Sequence, residues 1–311
     1  MKAIEVKNLH KSYGSTKAVQ GVSFIVEQGE IFSLLGPNGA GKTTTISMLS
    51  TLLQPDLGEL SIMGHSLKTD AMQAKAELGV VPQEIALYED LSAQENLSFW
   101  GKMYGLRGAQ LKKRTAEVLE TIGLTDRRND RVGKFSGGMK RRVNIGVALL
   151  HKPKVLYMDE PTVGIDPQSR RHILDSIKQL NRDGMTVLYT THYMEEAEEL
   201  SNRIAIMDSG KVIASGTQAE LVKIVGQCDR ITVEVSGSGS RLVESWQQVP
   251  GVKQVDAENG SINLLVENSN QVLPRLFESA GTYGMRINAI DVQEPNLEAV
   301  FLHLTGKALR D

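Results

Sequence analysis

The chain has 311 residues, 41% of them hydrophobic and 23% charged, with a formal net charge of −2. That length accommodates one large domain and a small one, and the near-neutral balance gives no overall attraction to nucleic acid or anionic lipid. A single cysteine, Cys228, excludes an internal disulfide framework, fits a reducing compartment and reads as a small apolar filler.

No basic-then-apolar leader pattern opens the sequence, and no apolar run approaches the length needed to span a bilayer. Work at a membrane would therefore need a separate spanning chain.

Taken in order, residues 3–9 alternate as a strand and residues 18–26 as a second one. Tyr13, between them, is a candidate for stacking on a nucleotide base; its plainer reading is an aromatic at a strand end. Residues 30–35 read as a buried strand that leads into Gly36, Pro37, Asn38, Gly39, Ala40, Gly41, Lys42, Thr43 and Thr44. This stretch fits G-x-x-x-x-G-K-[ST], a match that arises by chance in about 1–2% of chains this long at average residue frequencies. Glycines let the backbone wrap a phosphate chain with its N–H groups pointing inward. Lys42 suits the outer phosphates, and the Thr43 hydroxyl suits Mg²⁺. The helix expected from Lys42 to about Ser50 adds the positive end of its dipole. The loop alone implies a nucleoside triphosphate, with the enzyme class left open.

Residues 54–58 form a turn before a short strand over 59–63, and residues 78–83 read as a strand ending in the amide of Gln83. That amide can reach Mg²⁺ or a water, although a solvated loop residue is the commoner reading. Residues 93–123 read as helical, with Asn96, Phe99, Trp100, Met103 and Tyr104 expected on an apolar face that serves core packing ahead of partner docking. Ser136 is a natural N-cap for a helix running to about Leu150, and Gly137 and Gly138 leave backbone N–H groups open to an anion. Residues 154–159 form an apolar strand ending in Asp159, suited to a metal, with Glu160 next, suited to take a proton from attacking water. Asp166 and Pro167 mark a turn before a helix over 168–181, and His192 ends a third apolar strand. Residues 203–207 and 211–215 flank a hairpin turn.

A second domain is expected from about Gly226. Residues 231–292 read strand, helix, strand, strand, helix, strand, a ferredoxin-like order, with a loop over 237–240 and a final helix over 296–304. No metal-ligand cluster or nucleophile pattern stands out in 226–311.

These ordered motifs resemble the ATP-binding subunits of ABC transporters. The resemblance covers about residues 1–222: the Walker A loop Gly36–Thr44, the Q-loop Gln83, the signature Ser136, Gly137 and Gly138, the Walker B Asp159 followed by Glu160, the D-loop Asp166 and the switch His192. Tyr13 matches the base-stacking aromatic. The signature reads Phe-Ser-Gly-Gly-Met and the D-loop Val-Gly-Ile-Asp, departures from the commoner Leu-Ser-Gly-Gly-Gln and Ser-Ala-Leu-Asp. Both variants, and the segment 294–301, are similar to the ABC-2 branch of bacterial drug-resistance exporters of the daunorubicin type. Met139 stands in place of the Gln from which the resemblance would imply one polar contact to nucleotide or partner.

The resemblance implies an α/β P-loop NTPase cassette over residues 1–222, with a RecA-like core, a β subdomain and a helical subdomain at about 86–150. A small α+β ferredoxin-like domain over 226–311 follows. It implies a head-to-tail dimer of two copies, with ATP between the Walker A loop of one and Ser136–Gly138 of the other. Mg²⁺ would be held by Thr43, Asp159 and Gln83. Glu160 would polarise water, Lys42 would neutralise developing charge, and His192 would stabilise the γ-phosphate. The expected function is powering an ABC-2 exporter of the drug, lipid or polysaccharide class. The chain would sit at the cytoplasmic membrane face through a separate permease, with no nucleic-acid partner. The alternative is a non-transport ABC ATPase regulated by a ligand-sensing C-terminal domain. A single cassette and the absence of a heptad run between Lys42 and Ser136 disfavour the translation and repair types.

Overall fold

The computed structural model describes residues 1–226, 228–236, 240–258, 261–293 and 295–306. Residues 237–239 of the expected loop and Glu294 of the 294–301 segment therefore lie outside the described residues. The described residues divide into two compact units, 1–218 and 219–306.

In the first unit the elements run β1 (Lys2–Tyr13), β2 (Thr16–Glu27), β3 (Ile31–Leu35), α1 (Lys42–Leu49), β4 (Leu57–Ile62), β5 (His65–Ser66), α2 (Ala71–Ala76) and β6 (Leu78–Val81). They continue as α3 (Ala93–Met103), α4 (Gly108–Thr121), α5 (Gly137–Leu149), β7 (Val155–Asp159), α6 (Pro167–Arg182), β8 (Thr186–Thr191), α7 (Met194–Leu200), β9 (Arg203–Asp208) and β10 (Lys211–Gly216). The short helix α8 (Gln218–Val222) crosses into the second unit.

Two sheets result. One is antiparallel with order β2-β1-β4-β5, and the other has order β10-β9-β3-β8-β7-β6. In the second, β3 pairs in parallel with β8 and β9, and β7 in parallel with β6 and β8. Every residue of β3, β7 and β8 is buried. Continuous apolar runs are what a parallel sheet covered on both faces demands. Phe24 of β2 stacks on Phe32 of β3 at 5.3 Å between ring centres, worth about 0.5–1.5 kcal/mol beyond the area buried. Because β3, β7 and β8 are parallel, their C-terminal ends open on one edge, where α/β sheets place ligands.

The helical part differs from expectation on one face. The core side of α3 is Ala93, Asn96, Leu97 and Gly101, whereas Met103 is 69% and Tyr104 45% exposed. Gly101 lies under Leu111 so closely that a Cβ there would stand 2.5 Å from Leu111 Cδ1; the α3–α4 approach selects the small residues for the inside. Trp100, half-buried, packs on the edge of the core as expected, and the aromatics pair edge to face, Tyr88 with Phe99 and Phe99 with Trp100. Asn96 is fully buried because its amide is consumed by Tyr88 and Ser92 backbone groups. The start of α3 carries a full capping box between Ser92 and Glu95, a feature worth about 1 kcal/mol.

The second unit runs β11 (Asp229–Val235), α9 (Ser240–Gln247), β12 (Val252–Glu258), β13 (Ser261–Val266), α10 (Ser269–Thr282), β14 (Ile287–Gln293) and α11 (Leu297–Thr305). Its antiparallel sheet has order β12-β13-β11-β14, the ferredoxin-like arrangement the sequence predicts. Ile231 and Val233 of β11 and Ile262, Leu264 and Val266 of β13 alternate onto one face, where Trp246 of α9 and Leu276 of α10 complete a core.

Candidate functional site

The strand β3 delivers the chain to Gly36, where only glycine fits: a Cβ would stand 2.2 Å from the Met207 carbonyl oxygen. Gly41 precedes α1 at φ 99°, and a Cβ there would meet the Ala18 carbonyl oxygen at 2.5 Å. Between them Ala40 is buried and anchored by its N–H on the Pro37 carbonyl, while Asn38 and Gly39 are exposed at the mouth of the loop.

Lys42 is only 4% exposed. Its Nζ donates to the carbonyls of Gly36 at 2.7 Å and Pro37 at 3.1 Å, and lies 3.0 Å from Glu160 Oε1. The loop therefore curls round its own ammonium group. Thr43 is exposed on the first turn of α1, and its hydroxyl donates to Asp159 Oδ1 at 3.4 Å. The same oxygen accepts from Thr190 Oγ1 at 2.6 Å. Burial pushes the Asp159 carboxyl above its usual range, against the opposing bonds from Thr190 and Thr43, and Glu160 adds to the rise.

Glu160 sits in the left-handed region at φ 44°, an uncommon conformation for a residue with a side chain. Its N–H is shared between the hydroxyl and carbonyl of Thr190, which pins the turn. Its other oxygen, Oε2, lies 3.3 Å from His192 Nδ1, in ion-pair range but without hydrogen-bond alignment. His192 is 9% exposed and packs against the Tyr193 ring. Three strand ends thus bring Lys42 and Thr43 (after β3), Asp159 and Glu160 (at β7) and His192 (after β8) into one cluster.

The other predicted residues lie outside that cluster. None of Tyr13, Gln83, Ser136, Gly137, Gly138 and Asp166 bonds to Lys42, Asp159 or Glu160. Tyr13 is 52% exposed at the end of β1. The Gln83 side chain is exposed, while its carbonyl and that of Pro82 accept from Arg141 at 2.5 and 2.6 Å. Ser136 caps α5 by accepting from the Met139 N–H at 3.3 Å. Gly138 lies against α6, where a Cβ would stand 2.2 Å from Ser169. Met139 packs on the core beneath the helices. Asp166 caps α6 through the Ser169 N–H at 2.9 Å, and that bond holds its carboxyl below the usual range. Thr44 is half-buried in the first turn of α1.

Sequence reasoning passed over Thr190, which joins Asp159 to the Glu160 turn, and Glu196, which bonds the hydroxyls of Thr162, Tyr189 and Thr191. A run of hydroxyl side chains at the end of an otherwise apolar strand was the available signal.

The donor set fits a nucleoside triphosphate and its metal. Lys42 is paired with Glu160, so the buried Asp159 keeps a carboxyl without an ion-pair partner beside the Thr43 hydroxyl. Oxygen ligands of this kind suit a hard divalent cation shared with phosphates. Among the described residues no group of three or more His, Cys, Asp or Glu could hold a metal by itself. No helix of the described residues is long and apolar enough to cross a membrane.

Residues 19–163 match the family described as ABC transporter, and residues 225–305 match the one described as ATP-binding protein DrrA1-3-like, C-terminal domain. The chain is 49% identical over 310 residues to the linearmycin resistance ATP-binding protein LnrL of Bacillus subtilis, covering 99% of this chain and 100% of the relative. It is 38% identical over 306 residues to the daunorubicin resistance ATP-binding protein DrrA3 of Streptomyces coeruleorubidus, covering 98% and 96%. A solved dimeric ATP-binding cassette in a post-hydrolysis state, bound to ADP and Pi, superposes with a TM-score of 0.62 at 29% identity, covering 69% of this chain and 98% of that one. The chain belongs to the ABC transporter family, as an ATP-binding and ATP-hydrolysing subunit of its DrrA-like branch.

Proposed function

We propose that this ATPase powers an exporter of hydrophobic drug-like molecules, through a separate ABC-2 type permease at the cytoplasmic face of the membrane. The substrate class follows from the linearmycin and daunorubicin resistance named for its relatives. The observation that carries the catalytic part is the convergence of Lys42, Glu160 and His192 within 3.0 and 3.3 Å contacts at the open edge of the parallel sheet.

In this reading the remaining N–H groups of the loop, at Asn38, Gly39, Gly41 and the first turn of α1, and the Lys42 ammonium receive the β- and γ-phosphates of ATP. Glu160 accepts a proton from water as its oxygen bonds to the γ-phosphorus and the bond to ADP breaks. His192 stands beside Glu160, placed to stabilise the charge that develops on the γ-phosphate. Mg²⁺, when bound, would neutralise phosphate charge, and Thr43 and Asp159, with Gln83 from its loop, are the residues that would hold it. Tyr13 would stack on the base.

Ser136, Gly137 and Gly138 cap a helix away from the cluster, so they would meet nucleotide in a second copy placed head to tail, with Asp166 beside that junction. Open N–H groups at a helix start are the chemistry an anion needs. Nucleotide-driven closing of this dimer is the motion that the permease would receive.

The test is co-expression with a candidate multi-helix permease, sought first in the neighbouring reading frames, followed by drug uptake into inside-out vesicles. The expected result is uptake that needs Mg²⁺ and ATP and is lost in Glu160→Gln. A chain that stays in the soluble fraction and supports no ATP-dependent uptake would overturn the exporter reading.

A further inference from the structure

The carboxylate of Glu196 is 3% exposed, on the short helix α7. One of its oxygens, Oε2, accepts from three hydroxyls: Tyr189 at 2.8 Å, Thr191 at 2.9 Å and Thr162 at 3.0 Å. The other, Oε1, lies 3.7 Å from Arg170 Nε, on the first turns of α6. These groups arrive from separate places. Thr162 is two residues after Glu160, Thr191 is one residue before His192, and Arg170 is four residues after Asp166.

The connections run further into the site. Thr191 Oγ1 also accepts from the Tyr193 N–H at 2.9 Å, so both neighbours of His192 are tied down. The Thr191 carbonyl accepts from the Gly36 N–H at 3.3 Å, which links the same residue to the start of the phosphate loop. The Arg170 guanidinium lies 4.6 Å from the centre of the Tyr193 ring, and that ring packs on His192. Burial first, and Glu196 second, hold the Tyr189 phenol well above its ordinary range, so it stays a donor.

Any buried carboxylate needs several donors to offset its desolvation, so what distinguishes Glu196 is where its donors come from. This one draws its donors from the segment behind Glu160 and from the strand end that carries His192. We propose that Glu196 is a positioning residue for hydrolysis: it sets Glu160 and His192 against each other and joins that setting to the first turns of α6. The inference rests on the roles assigned above to Glu160 and His192. Small misplacements of a general base cost rate steeply while leaving ground-state binding intact.

The experiment uses the full chain with Glu196→Ala, Glu196→Gln, Thr191→Val and Thr162→Val. Nucleotide Kd, KM and kcat are measured per folded binding site. Glu196→Ala is expected to lower kcat about 10- to 100-fold with ATP affinity within about twofold. Glu196→Gln keeps a carbonyl oxygen for the three hydroxyls and is expected to recover to within about threefold of the parent. Each Thr→Val change should lower kcat about 3- to 10-fold with KM nearly unchanged. If Glu196→Ala does not fold, the two Thr→Val variants decide. Parent-like kcat in those variants, or loss of ATP binding in parallel with kcat, overturns the proposal. Glu160→Gln runs alongside: parent-like turnover there refutes the role of Glu160 itself, whereas its loss beside unaffected Thr→Val variants refutes Glu196 alone.

Discussion

Lys42 Nζ lies 3.0 Å from Glu160 Oε1, with the two side chains 4% and 6% exposed. The ammonium of the phosphate loop thus has as its anion the carboxylate proposed to meet water. On the proposed mechanism ATP displaces Glu160 from Lys42 and so frees the carboxylate to meet water, which would make proton acceptance depend on nucleotide binding.

Glu160→Gln should therefore have two signatures. Hydrolysis should be lost while ATP binding remains, because the amide cannot take the proton. The protein without added ATP should lose roughly 1–3 kcal/mol, since Lys42 exchanges a carboxylate for a neutral amide oxygen in a buried site. Thermal unfolding should show a lower Tm without ATP and a larger upward shift with it than in the parent. Turnover at the parent rate would contradict the first signature, and an unchanged Tm without ATP the second.

Lys42→Ala should lower kcat/KM at least roughly 100-fold, as expected for a charge aimed at the transition state. Steady-state phosphate release measures this. The Gly36 and Pro37 carbonyls, which now receive Lys42, would be left to water.

Gly41→Ala tests the loop's backbone. At φ 99°, with the Ala18 carbonyl 2.5 Å from any added Cβ, the loop must shift. The expected cost is about 1–3 kcal/mol by urea unfolding, together with weakened ATP binding. Unchanged values in both would mean the loop adopts another conformation.

His151 gives a pH dependence away from the site. It stacks on Tyr104 at 4.3 Å and bonds the Leu78 carbonyl at 2.9 Å, and burial holds its pKa below the ordinary 6.5. Below pH 6.5 the unfolded chain binds more protons at this residue than the folded one. Stability therefore falls as pH drops from 6.5 toward the folded value, and the contribution is constant above that range. His151→Phe keeps the ring stack and should lose less stability than the parent between about pH 7.5 and about pH 5.5. An identical decline in both proteins would contradict this.

Much of this architecture was legible because its physics is local. A phosphate loop needs Gly36 and Gly41 at fixed spacing, and a doubly covered strand must be continuously apolar, as residues 155–158 are before Asp159. The alternation of Ile231, Val233 and Val235 likewise announced a sheet with one core face. The orientation of α3 was not legible, since an aromatic stripe and a small-residue stripe compete and only the approach of Leu111 to Gly101 decides. The ties of Thr190 to Glu160 and of Glu196 to Thr162 also escaped notice, because they join residues 30 and 34 positions apart whose meeting depends on the pairing of β7 with β8. Asp166 and Ser136 show the reverse: each is a readable cap, yet a single copy of the chain places neither in the cluster.

The head-to-tail arrangement is tested by mixing two inactive chains. Lys42→Ala spoils the phosphate loop and leaves Ser136–Gly138 intact. Gly137→Asp does the reverse, and its site tolerates a side chain, since a Cβ there meets only Ile165 Cδ1 at an ordinary 3.5 Å. A mixed pair then holds one junction in which both halves are sound. The predicted result is that each variant alone is nearly inactive and that the mixture regains ATP hydrolysis. A mixture no more active than its separate components, with mixed dimers demonstrated, would contradict nucleotide shared between two copies.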